Sequence, residues 1–92
     1  MSLDEFLAWE LRQELRYEFD GTRPVAMTGG TAAHATIQQN LALAIGGRLR
    51  GTPCRFFGSD LKVQVSEAIR YPDGFVVCSP VPRDATVVHD PL

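Results

Sequence analysis

At 92 residues the chain is at most one small domain, and its 45 % apolar and 22 % charged content is that of a globular protein rather than a disordered one. A net charge of −2, with no dense Lys/Arg run and no stretch of about 18 apolar residues, excludes a polybasic tail and a transmembrane helix. The charge is uneven: residues 1–20 sum to −4, residues 21–59 to +4 through Arg23, Arg48, Arg50 and Arg55, and residues 60–92 to −2. That basic middle is either a phosphate-facing surface or four scattered arginines. The N-terminus, Met1-Ser2-Leu3-Asp4-Glu5, lacks the basic start and apolar run of a signal peptide, so a cytoplasmic location is expected. Cys54 and Cys78 form no CxxC and no zinc spacing, and in a reducing cytosol they are expected to be buried thiols.

Ser2-Leu3-Asp4-Glu5 is a capping box, and Leu3, Phe6, Leu7, Leu11 and Leu15 recur at spacings of three and four. This predicts an amphipathic helix over residues 3–14, with Trp9 at the edge of its stripe. Arg16–Phe19 shifts to period two, Asp20-Gly21 is a turn signal, and Pro24–Met27 is a return strand, so residues 16–27 read as a hairpin. Thr31 can cap a second helix over residues 32–50, with Ile37, Leu41, Ile45 and Leu49 as its buried stripe and Ala44 beside them. Gly46-Gly47 weakens that helix and Gly51-Thr52-Pro53 ends it.

Three strands are expected next: Cys54–Phe57, Leu61–Val65 alternating cleanly with one face buried and one polar, and a longer Ile69–Cys78 in which Pro72 demands an edge or a break. If Val65 pairs with Arg70, Lys62 stands opposite Asp73. Pro80, Pro82 and Asp84 mark a loop, and Thr86-Val87-Val88 can begin another element. The whole reads as an α+β (α/β) fold: two helices on a mixed or antiparallel sheet with an N-terminal β-hairpin.

The ordered motifs resemble one family. They are residues 2–10 (Ser-Leu-Asp-Glu-Phe-Leu-Ala-Trp-Glu), Arg16-Tyr17-Glu18-Phe19-Asp20-Gly21, Pro24–Met27, Thr31–His34, Asn40-Leu41-Ala42, Cys54–Val63 and Tyr71-Pro72-Asp73. Together they resemble the Uma2 family, also called DUF820, of restriction-endonuclease-like proteins. The resemblance implies a PD-(D/E)xK nuclease core and phosphodiester cleavage of DNA assisted by Mg²⁺ or Mn²⁺. It makes Asp73 the first metal-binding carboxylate. In longer members a strand written roughly V-x-E-V-L-S supplies the second acid, and Asp90-Pro91-Leu92 matches the point where that strand begins. The 92 residues therefore read as a single truncated domain, the N-terminal portion, with an incomplete active site and no nuclease activity to speak of.

Physical chemistry agrees that one acid is little: Mg²⁺ is held by one or two carboxylates plus substrate phosphates and keeps several waters. Each candidate also has a plainer reading. Asp73 after Pro72 is also a plausible turn acid, and Asp60 after Gly58-Ser59, a second candidate for the metal, is also a turn cap. Lys62 is either a participant in the site or a cross-strand ion pair. His34 is a ligand, a core histidine or a cap. Glu18 either projects towards the site or bonds the turn backbone. A contrasting reading from another class is a non-catalytic interaction module or gene remnant that self-associates through an open sheet edge.

Overall fold

The structure is a computed structural model that describes residues 1–27 and 29–89. In chain order its elements are helix α1 (Leu3–Glu10), strands β1 (Tyr17–Phe19) and β2 (Pro24–Ala26), helix α2 (Ala32–Arg48), and strands β3 (Arg55–Phe57), β4 (Lys62–Val65), β5 (Ala68–Arg70), β6 (Phe75–Val77) and β7 (Val87–His89). Five strands form a mixed sheet in the order β2-β1-β5-β4-β7, antiparallel except for the parallel β4–β7 pair. β3 and β6 form a separate antiparallel ribbon. The α+β class expected from the sequence is the one observed.

The capping box forms at the start of α1: Ser2 Oγ accepts from Glu5 N–H at 3.1 Å, and Glu5 Oε1 accepts from Ser2 N–H at 2.8 Å. The Ser2 backbone N–H, then its hydroxyl, hold the Glu5 carboxyl below its ordinary range. The helix is shorter than the apolar spacing predicts, and Leu11 and Leu15 are exposed. Glu10 turns its side chain inward and accepts from Tyr17 N–H, seven residues on, so the chain doubles back before a third turn is complete. The freed Trp9 carbonyl is taken by Arg12 N–H and by the Gln13 side chain.

The hairpin is as expected, with Tyr17 opposite Ala26 and Phe19 opposite Pro24. Asp20 Oδ1 accepts from the N–H groups of Thr22 and Arg23, and Gly21 takes the left-handed φ of 99° that the turn requires. Those two donors, Arg23 first, hold the Asp20 carboxyl below its ordinary value.

The apolar side chains divide between the two faces of the large sheet. Phe6 of α1 stacks on Phe19 at 4.9 Å and packs with Ile69, with Trp9, Tyr17 and Val87 around them. On the opposite face, Val63 and Val88 meet Phe75 and Val77 of the small ribbon. The β4–β7 register, Lys62 with Val87 and Val63 with Val88, explains the division, since successive residues point to opposite faces. It also puts Lys62 on the α1 side.

Several expectations are corrected. The long strand Ile69–Cys78 is two strands in different sheets, because Pro72 interrupts the ladder and the chain changes sheet at Tyr71–Gly74. The β4–β5 register pairs Val63 with Arg70 and Val65 with Ala68, joined through Ser66-Glu67, so Lys62 does not face Asp73. Helix α2 buries no residue completely. Its half-buried stripe is Gln38, Ala42, Ile45, Gly46 and Leu49, and it packs on β3. Ile37 and Leu41 lie roughly 100° around the helix from that stripe and are exposed. Cys54 and Cys78 are not free thiols: they stand opposite each other at the end of the β3–β6 ladder, Cα atoms 3.8 Å apart, and form a disulfide.

Candidate functional site

Asp73 sits in the connection between β5 and β6, where the chain crosses from one sheet to the other. The Pro72 ring fixes its own φ and disfavours the helical region at Tyr71, so the crossing is stiff. At Gly74 a Cβ would run into the end of the Phe56 ring, which would have to shift. Its smallness therefore admits the Phe56 ring against the Asp73 loop, one residue before β6 begins.

Helix α2 presents two side chains to Asp73. Gln38 Nε2 donates to Asp73 Oδ1 at 2.9 Å, and His34 Nε2 lies 3.0 Å from Oδ2. Positions 34 and 38 are one turn apart and share a face. Thr31 Oγ1 caps the helix by accepting from His34 N–H, which fixes the first turn beside the carboxylate. His34 and Asp73 are each about half exposed, at 50 % and 53 %. They open on a depression of about 520 Å³ lined by Arg16, Thr31, His34, Gln38, Ser59 and Asp73.

Arg16 forms one wall. Its guanidinium donates to the Ser59 carbonyl at 3.1 Å, pairs with Asp60 Oδ1 at 2.6 Å, and lies 5.9 Å from the centre of the Tyr71 ring. Asp60 is thus held by a cation at an exposed rim, and such a pair is worth roughly 0–1 kcal/mol. Among the described residues, no group of three or more His, Cys, Asp or Glu side chains is arranged to hold a metal ion.

The remaining candidates, Glu18 and Lys62, do not line the depression. Glu18 does not bond its own turn; its Oε2 accepts from Tyr71 N–H at 2.8 Å, 53 residues along the chain. Lys62 is buried and donates to Glu10 Oε1, and Tyr71 Oη donates to Glu10 Oε2 at 2.7 Å. Burial pushes the Glu10 carboxyl up, but bonds from Lys62, Tyr71 and Tyr17 N–H outweigh it and leave it below its ordinary value. Burial first, and then the Glu10 carboxylate, push the Tyr71 hydroxyl far above its ordinary range.

Sequence reasoning found Asp73, His34, Glu18, Lys62 and Asp60 but not Gln38, Arg16 or Glu10. Gln38 was detectable as the residue one turn after His34. Glu10 was detectable as the acid one turn after the core residue Phe6, in a chain whose single lysine is Lys62.

The model of the Uma2 family, described as "Putative restriction endonuclease", matches residues 3–91. A curated relative, "Uncharacterized protein slr1290" of Synechocystis sp., is 35 % identical over 88 residues, which are 94 % of this chain and 46 % of the relative. A crystal structure of "a putative nuclease belonging to DUF820" from Anabaena variabilis shares the fold, with a TM-score of 0.78 at 22 % identity. That match covers 96 % of this chain and 52 % of the other. The chain spans about half the length of the relatives it matches.

Proposed function

Because this chain belongs to the Uma2 family, we propose that it carries the first metal-binding carboxylate, Asp73, of a DNA endonuclease that hydrolyses phosphodiester bonds with Mg²⁺ or Mn²⁺. The observation that carries the reading is the presentation of Asp73. A half-exposed carboxylate on a stiff crossing accepts from Gln38 on one oxygen, has His34 Nε2 of the same helix face 3.0 Å from the other, and opens on a depression. Hard divalent cations take oxygen ligands, and Mg²⁺ commonly uses one or two carboxylates together with substrate phosphates, so Asp73 fits one place in that set.

When bound, such an ion would neutralise phosphate charge and lower the pKa of an attacking water. The chain's own residues do the rest. Asp73 offers the hard oxygen, while Gln38 and His34 orient it. Arg16, at the wall, can exchange Asp60 for a phosphate, whose geometry its planar fork suits. Until a phosphate takes its place, Asp60 is paired with Arg16. Glu18 and Lys62 do not line the depression; Glu18 holds the Tyr71 N–H two residues before Asp73, and Lys62 holds Glu10. With one acid at the depression, metal binding by the 92-residue chain alone is weak and its cleavage of DNA is little or none. The test is supercoiled plasmid with Mg²⁺ or Mn²⁺. No nicking above a metal-free control is expected, and robust nicking abolished by Asp73→Ala would overturn the claim of inactivity.

A second reading rests on a separate observation. Ile37, Leu43 and Val65 are exposed, and β7, three residues long, is an edge strand. Self-association would bury such a surface, and size-exclusion chromatography decides it. A clean monomer with a cooperative melt argues against this reading.

A further inference from the structure

Tyr71 is anchored at both ends by acids from two different elements. Its backbone N–H donates to Glu18 of β1, and its hydroxyl donates to Glu10 of α1. Glu10 in turn accepts from Lys62 of β4 and from the N–H at the start of β1. The Arg16 guanidinium lies near the Tyr71 ring and bonds the Ser59 carbonyl at the wall of the depression. Two residues beyond Tyr71, across the stiff Pro72, stands Asp73. The α1 helix, the hairpin and the large sheet therefore converge on one residue, and everything after it hangs from that point until β6 begins. The Glu10–Tyr71 bond gives both buried groups a partner and at the same time fixes the far end of the tyrosine side chain.

We propose that Tyr71, clamped by Glu10 and Glu18, is a positioning residue that sets Asp73 within reach of His34 and Gln38. The proposal rests on the reading of Asp73 as the site carboxylate. It also gives Lys62, which does not line the depression, a part in the site: its bond to one Glu10 oxygen keeps the other aimed at the Tyr71 hydroxyl. The clamp acts through the backbone, so removing the Tyr71 hydroxyl should misplace Asp73 without touching it.

The experiment reads the Gln38 side-chain amide by NMR on the ¹⁵N-labelled chain. The Asp73→Ala variant supplies the position of that signal when the Asp73–Gln38 bond is absent. Tyr71→Phe, which keeps the ring and the backbone N–H, is expected to move the signal at least halfway to that position. Resonances of Val63 and Val88 on the opposite face should stay within a linewidth. If Tyr71→Phe does not fold, Glu18→Ala and Glu18→Gln give the same reading. Alanine should move the Gln38 signal, whereas glutamine, which keeps an acceptor for Tyr71 N–H, should leave it in place. A lowered melting temperature with the Gln38 signal unmoved in Tyr71→Phe and Glu18→Ala would make Tyr71 merely structural and overturn the proposal. If Asp73→Ala itself leaves the signal unmoved, the Asp73 site fails first and the clamp falls with it.

Discussion

Replacing Lys62 by methionine keeps the stem that packs between α1 and the sheet and removes the charge that faces Glu10. Lys62 and Glu10 are only 5 % and 6 % exposed, so the carboxylate left behind would have two neutral donors, Tyr71 Oη and Tyr17 N–H, and no cation. Breaking a buried pair from one side costs about 3–5 kcal/mol. Glu10 also borders an opening lined by Gln13, Glu14 and Arg16, which gives water a short approach, so the lower end, about 3 kcal/mol, applies. In a domain of this size each kcal/mol moves Tm by about 4–8 °C, so Lys62→Met should melt roughly 12–24 °C lower. Adding Glu10→Gln removes the stranded charge while retaining an oxygen for Tyr71 and Tyr17. The double variant should therefore recover at least half of the loss. Thermal and urea denaturation followed by circular dichroism measure both. A single-variant loss below about 1 kcal/mol, or a double variant no more stable than Lys62→Met, would refute the view that this pair is a buried, coupled unit.

The carboxyls of Glu5, Glu10 and Asp20 are all held below their ordinary values of 4.5, 4.5 and 3.8, so each contributes stability that is present above those values. Melting temperature should hold steady from neutral pH to about 5 and fall as acid is added below that, whereas a fall beginning near pH 6 would point to other groups. The Tyr71 hydroxyl has the opposite sign. Its contribution is complete below its ordinary value of 10.0 and is lost as pH rises above it, which a urea series between pH 9 and 11 measures. Reducing the Cys54–Cys78 disulfide opens a closed loop with a sequence separation of 24. It should cost about 3 kcal/mol by loop entropy, seen as a lower urea midpoint with a dithiol present; an unchanged midpoint would show that the bond adds nothing. Gly74→Ala drives a methyl into the Phe56 ring and should cost about 1–3 kcal/mol by urea denaturation; an unchanged midpoint would show that the ring is not fixed against this loop.

What the sequence revealed depended on whether the determinant was local. The capping box, the Asp20-Gly21 turn and the Thr31 cap all act within a few residues, and each was legible. The alternation of Leu61–Val65 located a strand but not its buried side chains, since Lys62 is buried against Glu10 and Val65 is exposed. The α2 stripe was misjudged because an apolar period identifies a helix but not the face its neighbour covers: Ile45 and Leu49 pack, while Ile37 and Leu41 do not. Register was beyond reach for the same reason. A shift of two residues preserves the facing pattern of β4 and β5, so alternation cannot choose between Lys62 opposite Asp73 and Lys62 beside Tyr71. The disulfide escaped because the compartment was used to judge the cysteines before the β3–β6 pairing that brings them together was known. At the site, Asp73 was identified through family resemblance. Its partners were not, since the contacts from His34 and Gln38 span 39 and 35 residues and depend on where α2 comes to rest.

The account turns on Asp73 being where a divalent ion binds. Titration of Mn²⁺ into the ¹⁵N-labelled chain tests this most directly, because the ion broadens the resonances of nuclei close to it. Broadening should begin at His34, Gln38 and Asp73 and disappear in Asp73→Asn. Broadening that begins elsewhere, or that persists unchanged in Asp73→Asn, would contradict the assignment.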